Sequence, residues 1–510
     1  MSHNLRRAVP QYAMKLPCYS AILGLVVLTL GLTSGVAAVL TQEFNCGCED
    51  KPQLEVLAVV NGVKITREDL GPDLKMKVMN IQQEVVEARE NEVNVLINST
   101  LLSNEATKRN ISVQKLIQVE VVDKITAPTD AEALAFYNKH KDEIDDEFKD
   151  VKADVMTWLR DERERAGVLA LANSLRAAAD VKILVPTITP PTNEAEKAQV
   201  LATVNGARIT SGDVEQNLLP LIFNVQQQVF NTRQRALDLK INDLLLASAA
   251  KKQGQTIAEL RASMKAKVPI PTEAQAQAFY NQNKAKIRRD FADVKDQVIQ
   301  YLFAEEEKKS DLAFIAQLRS SAALQIFLTP PDSPVFKIAL DDQPSKGNPK
   351  AAVTVVQFTD FQCPSCAQHH PIVERLLNEY GDSVRLVVRD FPLSQHANAM
   401  KAAEAAEAAR EQGKYWEYTD LLYRNQSALQ IDKLKQYASN LGLDRVRFDA
   451  ALDSGKYSDK VQRDVAEGDR LGVDSTPTFF VNGRLVTDSS YAGLKSRIEA
   501  ELKLQQSKTN

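Results

Sequence analysis

Two thiols separated by two residues, Cys363 and Cys366 around Pro364 and Ser365, can cycle between dithiol and disulfide or can bind a metal. They stand directly after the apolar, β-branched run 353–358 and directly before 372–380, where apolar residues recur at helical spacing. A strand therefore delivers the pair to the first turn of a helix. Unpaired N–H groups and the positive end of the helix dipole stabilise a thiolate there, and Pro364 fits the first turn without losing a hydrogen bond. This placement predicts Cys363 as an acidic, exposed nucleophile and Cys366, one turn further in, as a buried resolving thiol.

Metal binding competes with redox chemistry for such a pair. No second Cys-x-x-Cys exists, and Cys46 and Cys48 are too distant and wrongly spaced to complete a four-cysteine zinc site. The sharper rival uses His369 and His370, three and four residues beyond Cys366, which could bind copper or zinc from one helical face. The plainer alternative is two histidines on a partly exposed helix. Support for redox chemistry lies more than a hundred residues away, in Ser475-Thr476-Pro477-Thr478-Phe479-Phe480-Val481-Asn482-Gly483. A proline before an apolar strand, with Asn-Gly behind it, predicts a strand edge and a hairpin.

With both motifs in view, residues from about 335 to 504 resemble the DsbA-like branch of the thioredoxin superfamily. TDFQCPSC (359–366), VRDFPL (388–393), EAAEAAREQGKYWEYTDLL (404–422), LDSGKY (452–457) and GVDSTPTFFVNG (472–483) follow in family order. The resemblance implies an α/β thioredoxin fold over 334–506 with a helical insertion, Cys363 as nucleophile, Cys366 as resolving cysteine, and Thr476-Pro477 as the cis-proline segment beside the disulfide. It implies thiol:disulfide oxidoreductase activity with no cofactor and no resident metal. Several strongly oxidising members carry Pro-His between the cysteines; here Pro364-Ser365 leaves the redox poise open.

The whole chain, 510 residues with 44% apolar and 25% charged residues and a net charge of −4, is too long for one core and has no basic bias towards nucleic acid. Arg6, Arg7 and Lys15 lie in a cytoplasmic N-terminus (1–20), followed by an uncharged run, 21–40, long enough to span a bilayer. We read it as a signal-anchor followed by a linker over 41–53; a cleaved signal peptide is the competing reading, and either exports the chain to the cell envelope. Cys46-Gly47-Cys48 is either a strained disulfide or two thiols near the anchor, and Cys18 borders the membrane segment.

Residues 54–333 hold an internal duplication, predicted as two mainly α-helical repeats over 54–190 and 191–333. Asn61-Gly62 and Ile65-Thr66 recur 144 residues later, and Phe136-Tyr137-Asn138 and Asp150-Val151-Lys152 recur 143 residues later. Each copy opens with a strand, an Asn-Gly turn, a second strand and a capping-box-like Thr66-x-x-Asp69 or Thr210-x-x-Asp213. VNGxxIT, PTxAxAxAFYN and FxDVKxxV resemble the helical chaperone module of the SurA and trigger-factor type. Only about ten residues separate Asn138 from Phe148 and Asn281 from Phe291, too few for the parvulin domain of isomerase-bearing relatives, so no prolyl isomerase activity is expected. The expected protein is an envelope folding factor that oxidises or isomerises cysteines of unfolded exported polypeptides, with a membrane redox partner. Alternatives are a reductase for cytochrome or metal-site maturation, and a holdase or copper-binding chaperone.

Overall fold

The computed structural model describes residues 46–48, 55–144, 146–185, 188–287, 289–340 and 342–509. The expected signal-anchor lies outside them; no helix among the described residues is long and apolar enough to cross a membrane. Cys46 and Cys48 are joined as a disulfide. The chain is mostly helical, with a C-terminal sheet domain.

Apart from short helical turns, the duplicated part runs β1 (Val56–Val60), β2 (Val63–Thr66), α1 (Pro72–Lys108), α2 (Val113–Glu120), α3 (Asp130–Lys139), α4 (Phe148–Ala177) and β3 (Val181–Ile183). The second copy runs β4 (Val200–Val204), β5 (Ala207–Thr210), α5 (Ser211–Lys252), α6 (Ile257–Lys265), α7 (Glu273–Asn283), α8 (Phe291–Ser321) and β6 (Leu324–Ile326). Equivalent residues make equivalent bonds. Tyr137 donates to the Asp146 carbonyl at 3.0 Å and Tyr280 to that of Arg289 at 2.9 Å. Their rings meet Phe148 and Phe291 at the same centroid distance, 5.4 Å. Thr129 and Thr272 cap α3 and α7 with reciprocal side-chain bonds to Glu132 and Gln275.

The short third strands are exchanged between the copies. β3 pairs antiparallel with β4, whereas β6 pairs with β1 at the far end of the duplicated region. Asn61 and Asn205 sit at positive φ, as a tight Asn-Gly hairpin turn requires, and each locks its third strand by a pair of bonds. The Asn61 N–H donates to Ala323 O at 2.9 Å while Asn61 Oδ1 accepts from Ala323 N at 3.0 Å. Asn205 does the same with Asp180, at 2.8 and 2.9 Å.

The described residues accordingly form two compact units, one containing Val85–Phe223 and Asp332–Asn510, the other Cys46–Glu84 and Asn224–Pro331. In the second unit Leu57, Ala58, Val60 and Ile65 of the hairpin bury against Leu237, Ile241 and Leu245 of α5. Burial of a Leu or Ile side chain is worth about 1.5–3 kcal/mol, and a bare two-stranded hairpin has no such cover of its own. In the first unit Leu102 and Ala106 of α1 bury against Leu116 and Ile117 of α2 and Val168 of α4.

The C-terminal part runs β7 (Ser345–Gly347), β8 (Val353–Thr359), α9 (Pro364–Tyr380), β9 (Val384–Asp390), α10 (Ala399–Arg410), α11 (Tyr415–Arg424), α12 (Ile431–Asn440), α13 (Arg445–Asp453), α14 (Ser458–Arg470), β10 (Thr478–Val481), β11 (Arg484–Leu485) and α15 (Tyr491–Thr509). Its sheet has the order β11-β10-β8-β9-β7, with β8 and β9 parallel and the other pairs antiparallel. Six of the seven residues of β8 are buried because both faces are covered. Val353 and Val355 meet Val373 and Leu376 of α9 and Leu494 and Ile498 of α15, and Val356 and Phe358 meet Phe336, Phe391 and Phe480. Helices α10–α14 lie between β9 and β10 in the chain. The alanines of α10 are buried on nearly every side, which small side chains permit, and Tyr415 and Tyr418 are core residues.

Candidate active site

Strand β8 ends at Thr359, and four residues later the chain turns into α9 with Cys363 at its N-cap and Pro364 in the first turn. The turn is pinned from several sides. Asp360, with its side chain fully buried, accepts from Gln362 N at 2.7 Å through one oxygen, and through the other from Leu393 N at 2.9 Å while pairing with His396 Nδ1 at 2.6 Å. The Gln426 amide donates to Phe361 O at 3.0 Å and to Cys363 O at 2.7 Å. Few soft torsions remain to move the thiols.

Thr476 and Pro477, joined by a cis peptide bond, are brought against this helix start from more than a hundred residues away. The Cys363 thiol donates to Thr476 O at 3.3 Å. That cover changes one expectation: Cys363 is not exposed but 7% accessible, because the Thr476 segment lies over its sulfur. Cys366 is fully buried. The two thiols are therefore chemically unequal. A hydrogen bond from Cys366, opposed by burial and reinforced by Thr476 and the N–H groups of Cys366 and Ser365, lowers the Cys363 pKa to about 5. Burial pushes the Cys366 thiol well above its ordinary value, and hydrogen bonding to Cys363 adds to the rise.

The histidines do not join Cys366. His369 places Nδ1 at 2.7 Å from Ser365 O and Nε2 at 3.1 Å from Ser489 Oγ. His370 pairs with Asp420 at 2.7 Å and lies against the Tyr423 ring, centroids 4.8 Å apart. Helical spacing set both imidazoles on the face of Cys366, but each is engaged by other partners instead. Pro371 does not end α9, which continues to Tyr380.

Three residues at the site carried no recognisable signal in the sequence. Thr359 Oγ1 is 2.7 Å from the Tyr423 hydroxyl, and Gln426 reaches back over 63 residues to the Cys363 carbonyl. Thr359 belongs to the TDFQCPSC motif, yet a threonine closing a β-strand is unremarkable.

A strand–dithiol–helix unit beside a cis-proline loop, on a sheet with a central parallel pair, coincides with a match of residues 340–500 to the family model described as thioredoxin. The C-terminal domain has a thioredoxin-like fold. Among solved structures, BdbD from Bacillus subtilis in oxidised form is 24% identical with a TM-score of 0.31, covering 34% of this chain and 100% of that one. A thioredoxin-like oxidoreductase from Silicibacter pomeroyi is 29% identical with a TM-score of 0.30, covering 32% and 94%. A curated relative, the Na(+)/H(+) antiporter NhaA 3 of Salinispora tropica, is 47% identical over 140 residues. That alignment takes in 27% of this chain, which spans only about a fifth (21%) of the relative's length.

Proposed function

We propose that the thioredoxin-like domain is a thiol:disulfide oxidoreductase acting through Cys363-Pro364-Ser365-Cys366, with Thr476-Pro477 lining the place where a client disulfide docks. The observation that carries this reading is the inequality of the thiols: one acidic at a helix start, one buried and held protonated. An acidic Cys363 thiolate leaves readily from a mixed disulfide and stabilises the reduced form, so the pair belongs on the oxidising or isomerising side, away from the reductase alternative. Cys363 attacks or is attacked; Cys366 closes the ring or leaves.

The duplicated helical units serve, in this reading, as cradles for unfolded exported polypeptides, and the apolar run 21–40 tethers the chain at the envelope membrane, where a membrane redox partner renews the disulfide. Supporting it are the ends of the two third strands and the residues that follow, where Ile183 and Leu184 are 50% and 54% exposed and the equivalent Ile326 and Phe327 47% and 40%. Tethered clients would meet Cys363 at raised effective concentration.

Cys366→Ala should accumulate mixed disulfides with exported proteins on non-reducing gels, and Cys363→Ala should trap far fewer. Removing residues 54–333 should lower trapping in cells about tenfold or more, while a small model disulfide reacts at the full rate. Equal trapping with and without the repeats would refute the cradles; no trapping by Cys366→Ala under oxidising conditions would refute the oxidoreductase.

A further inference from the structure

We infer that Gln426, in the turn after α11, is a positioning residue for disulfide exchange: its side-chain amide holds the main chain of Cys363 so that the thiol stays aimed at the start of α9. The inference rests on the oxidoreductase reading and gives the helical insertion a part in its chemistry. A glutamine amide nitrogen carries two protons. Both are spent on the reactive turn, one on Phe361 O at 3.0 Å and one on Cys363 O at 2.7 Å, so a single nitrogen bridges the carbonyls on either side of Gln362. The Cys363 carbonyl also accepts from Ala367 N at 3.3 Å, the first bond of α9. With both of its lone pairs engaged, the peptide plane after Cys363 is fixed.

That plane sets the thiol against the helix. Cys363 caps α9 with φ −74° and ψ 121°, the extended conformation from which an N-cap side chain meets the free N–H groups of the first turn. A thiolate there is stabilised by those groups and by the helix dipole. A change in the Cys363 ψ would swing them away from the sulfur, whose other neighbour is Thr476 O at 3.3 Å. Gln426 is itself held in place. Asn425 ends α11; its N–H donates to Leu422 O at 3.1 Å, its side-chain amide to Leu421 O at 2.8 Å, and its carbonyl accepts from Ala428 N at 2.8 Å. Three residues before Gln426, the Tyr423 ring lies 5.2 Å from that of Phe361. These contacts set the register of α11 over the reactive turn. The titratable groups packed around the turn are Cys366 and His370 on α9, Asp360 after β8, His396 before α10 and Tyr423 on α11.

The test is the pH profile of Cys363 alkylation by iodoacetamide in the full reduced protein, with the labelled residue identified by mass, for the wild type, Gln426→Met and Gln426→Glu. Methionine keeps the length of the side chain and removes both protons, and should raise the half-maximal pH by about one unit. Glutamate keeps the shape, has no proton to donate once ionised and adds a like charge beside the thiolate, so it should raise the half-maximal pH by about two units. Urea unfolding of the disulfide form, which has no thiolate, separates position from fold: both variants should keep the wild-type midpoint within about 1 M, because Gln426 is only half-buried. A half-maximal pH within about 0.3 unit of the wild type in both variants would overturn the inference. So would failure of both disulfide forms to fold, which would make Gln426 a part of the scaffold alone. If Cys363 of the wild type itself titrates as an ordinary thiol, the oxidoreductase reading fails and the inference falls with it.

Discussion

Cys363→Ala should slow attack of the reduced protein on a small chromogenic disulfide at least about a hundred-fold at pH 7, whereas Cys366→Ala should keep the first attack and stop at the mixed disulfide. Acidity alone does not give this result. With a pKa of about 5, Cys363 is almost wholly thiolate at pH 7, while Cys366, raised above its ordinary value, is less than ~1% thiolate. More acidic thiolates are weaker nucleophiles, by roughly half a logarithmic unit per pKa unit, which cancels much of that advantage. Access decides the outcome. Cys366 is fully buried beneath Cys363 and must be uncovered by local opening, at a cost of several kcal/mol for a segment pinned by Asp360 and Gln426. A rate within about tenfold of the wild type in Cys363→Ala would contradict the assignment of the nucleophile.

Lys460→Met should destabilise the thioredoxin-like domain by about 3–5 kcal/mol, the usual cost of removing one partner from a buried ion network. Lys460, only 6% exposed, approaches Asp464 at 2.7 Å, Glu407 at 3.0 Å and Asp390 at 3.9 Å, and donates to Gln343 at 2.9 Å. Arg389 holds the other Asp464 oxygen at 2.7 Å, and Arg410 holds Glu407 at 2.9 Å. Burial raises the Asp390 carboxyl well above the carboxylate range, and the Lys460 charge is what opposes that rise. Without the ammonium, Asp464 and Glu407 lose a cation in a place where water cannot replace it. Urea unfolding followed by Trp416 fluorescence in a Trp158→Phe background measures the change. A loss below about 1 kcal/mol would mean that the network rearranges.

The fold around the cysteines was legible because each element carries a local signal: the β-branched run of β8, Cys-x-x-Cys with Pro364 at a helix start, and Asn482-Gly483 in the last hairpin. VRDFPL and EAAEAAR were equally visible as segments. Their role was not, because Arg389, Asp390, Glu407 and Lys460 meet only after β9, α10 and α14 pack, and spacing within any one segment says nothing of that. The Thr359–Tyr423 hydroxyl pair escaped for the same reason: the two residues are 64 positions apart. In the duplicated part the strands were legible from the repeated Asn-Gly pattern, and Thr210-x-x-Asp213 makes the reciprocal bonds at the start of α5, whereas in the first copy Thr66 only donates to Asp69 and α1 starts later, at Pro72. The strand exchange was not legible, since β3 and β6 carry near-identical signals and either hairpin offers an edge.

The most direct test of the account is the pH dependence of Cys363 alkylation in the reduced, full-length protein, with the labelled residue identified by mass. A half-maximal rate near pH 5, with label on Cys363 first, is the expected result. Because the folded pKa lies below the unfolded value of 9.0, thiolate stabilisation of the reduced fold is complete above about pH 9 and is lost as pH falls through about 5. The stability of the reduced form relative to the disulfide form should rise across the same interval. A half-maximal rate near pH 9, or first labelling on Cys366, would contradict it.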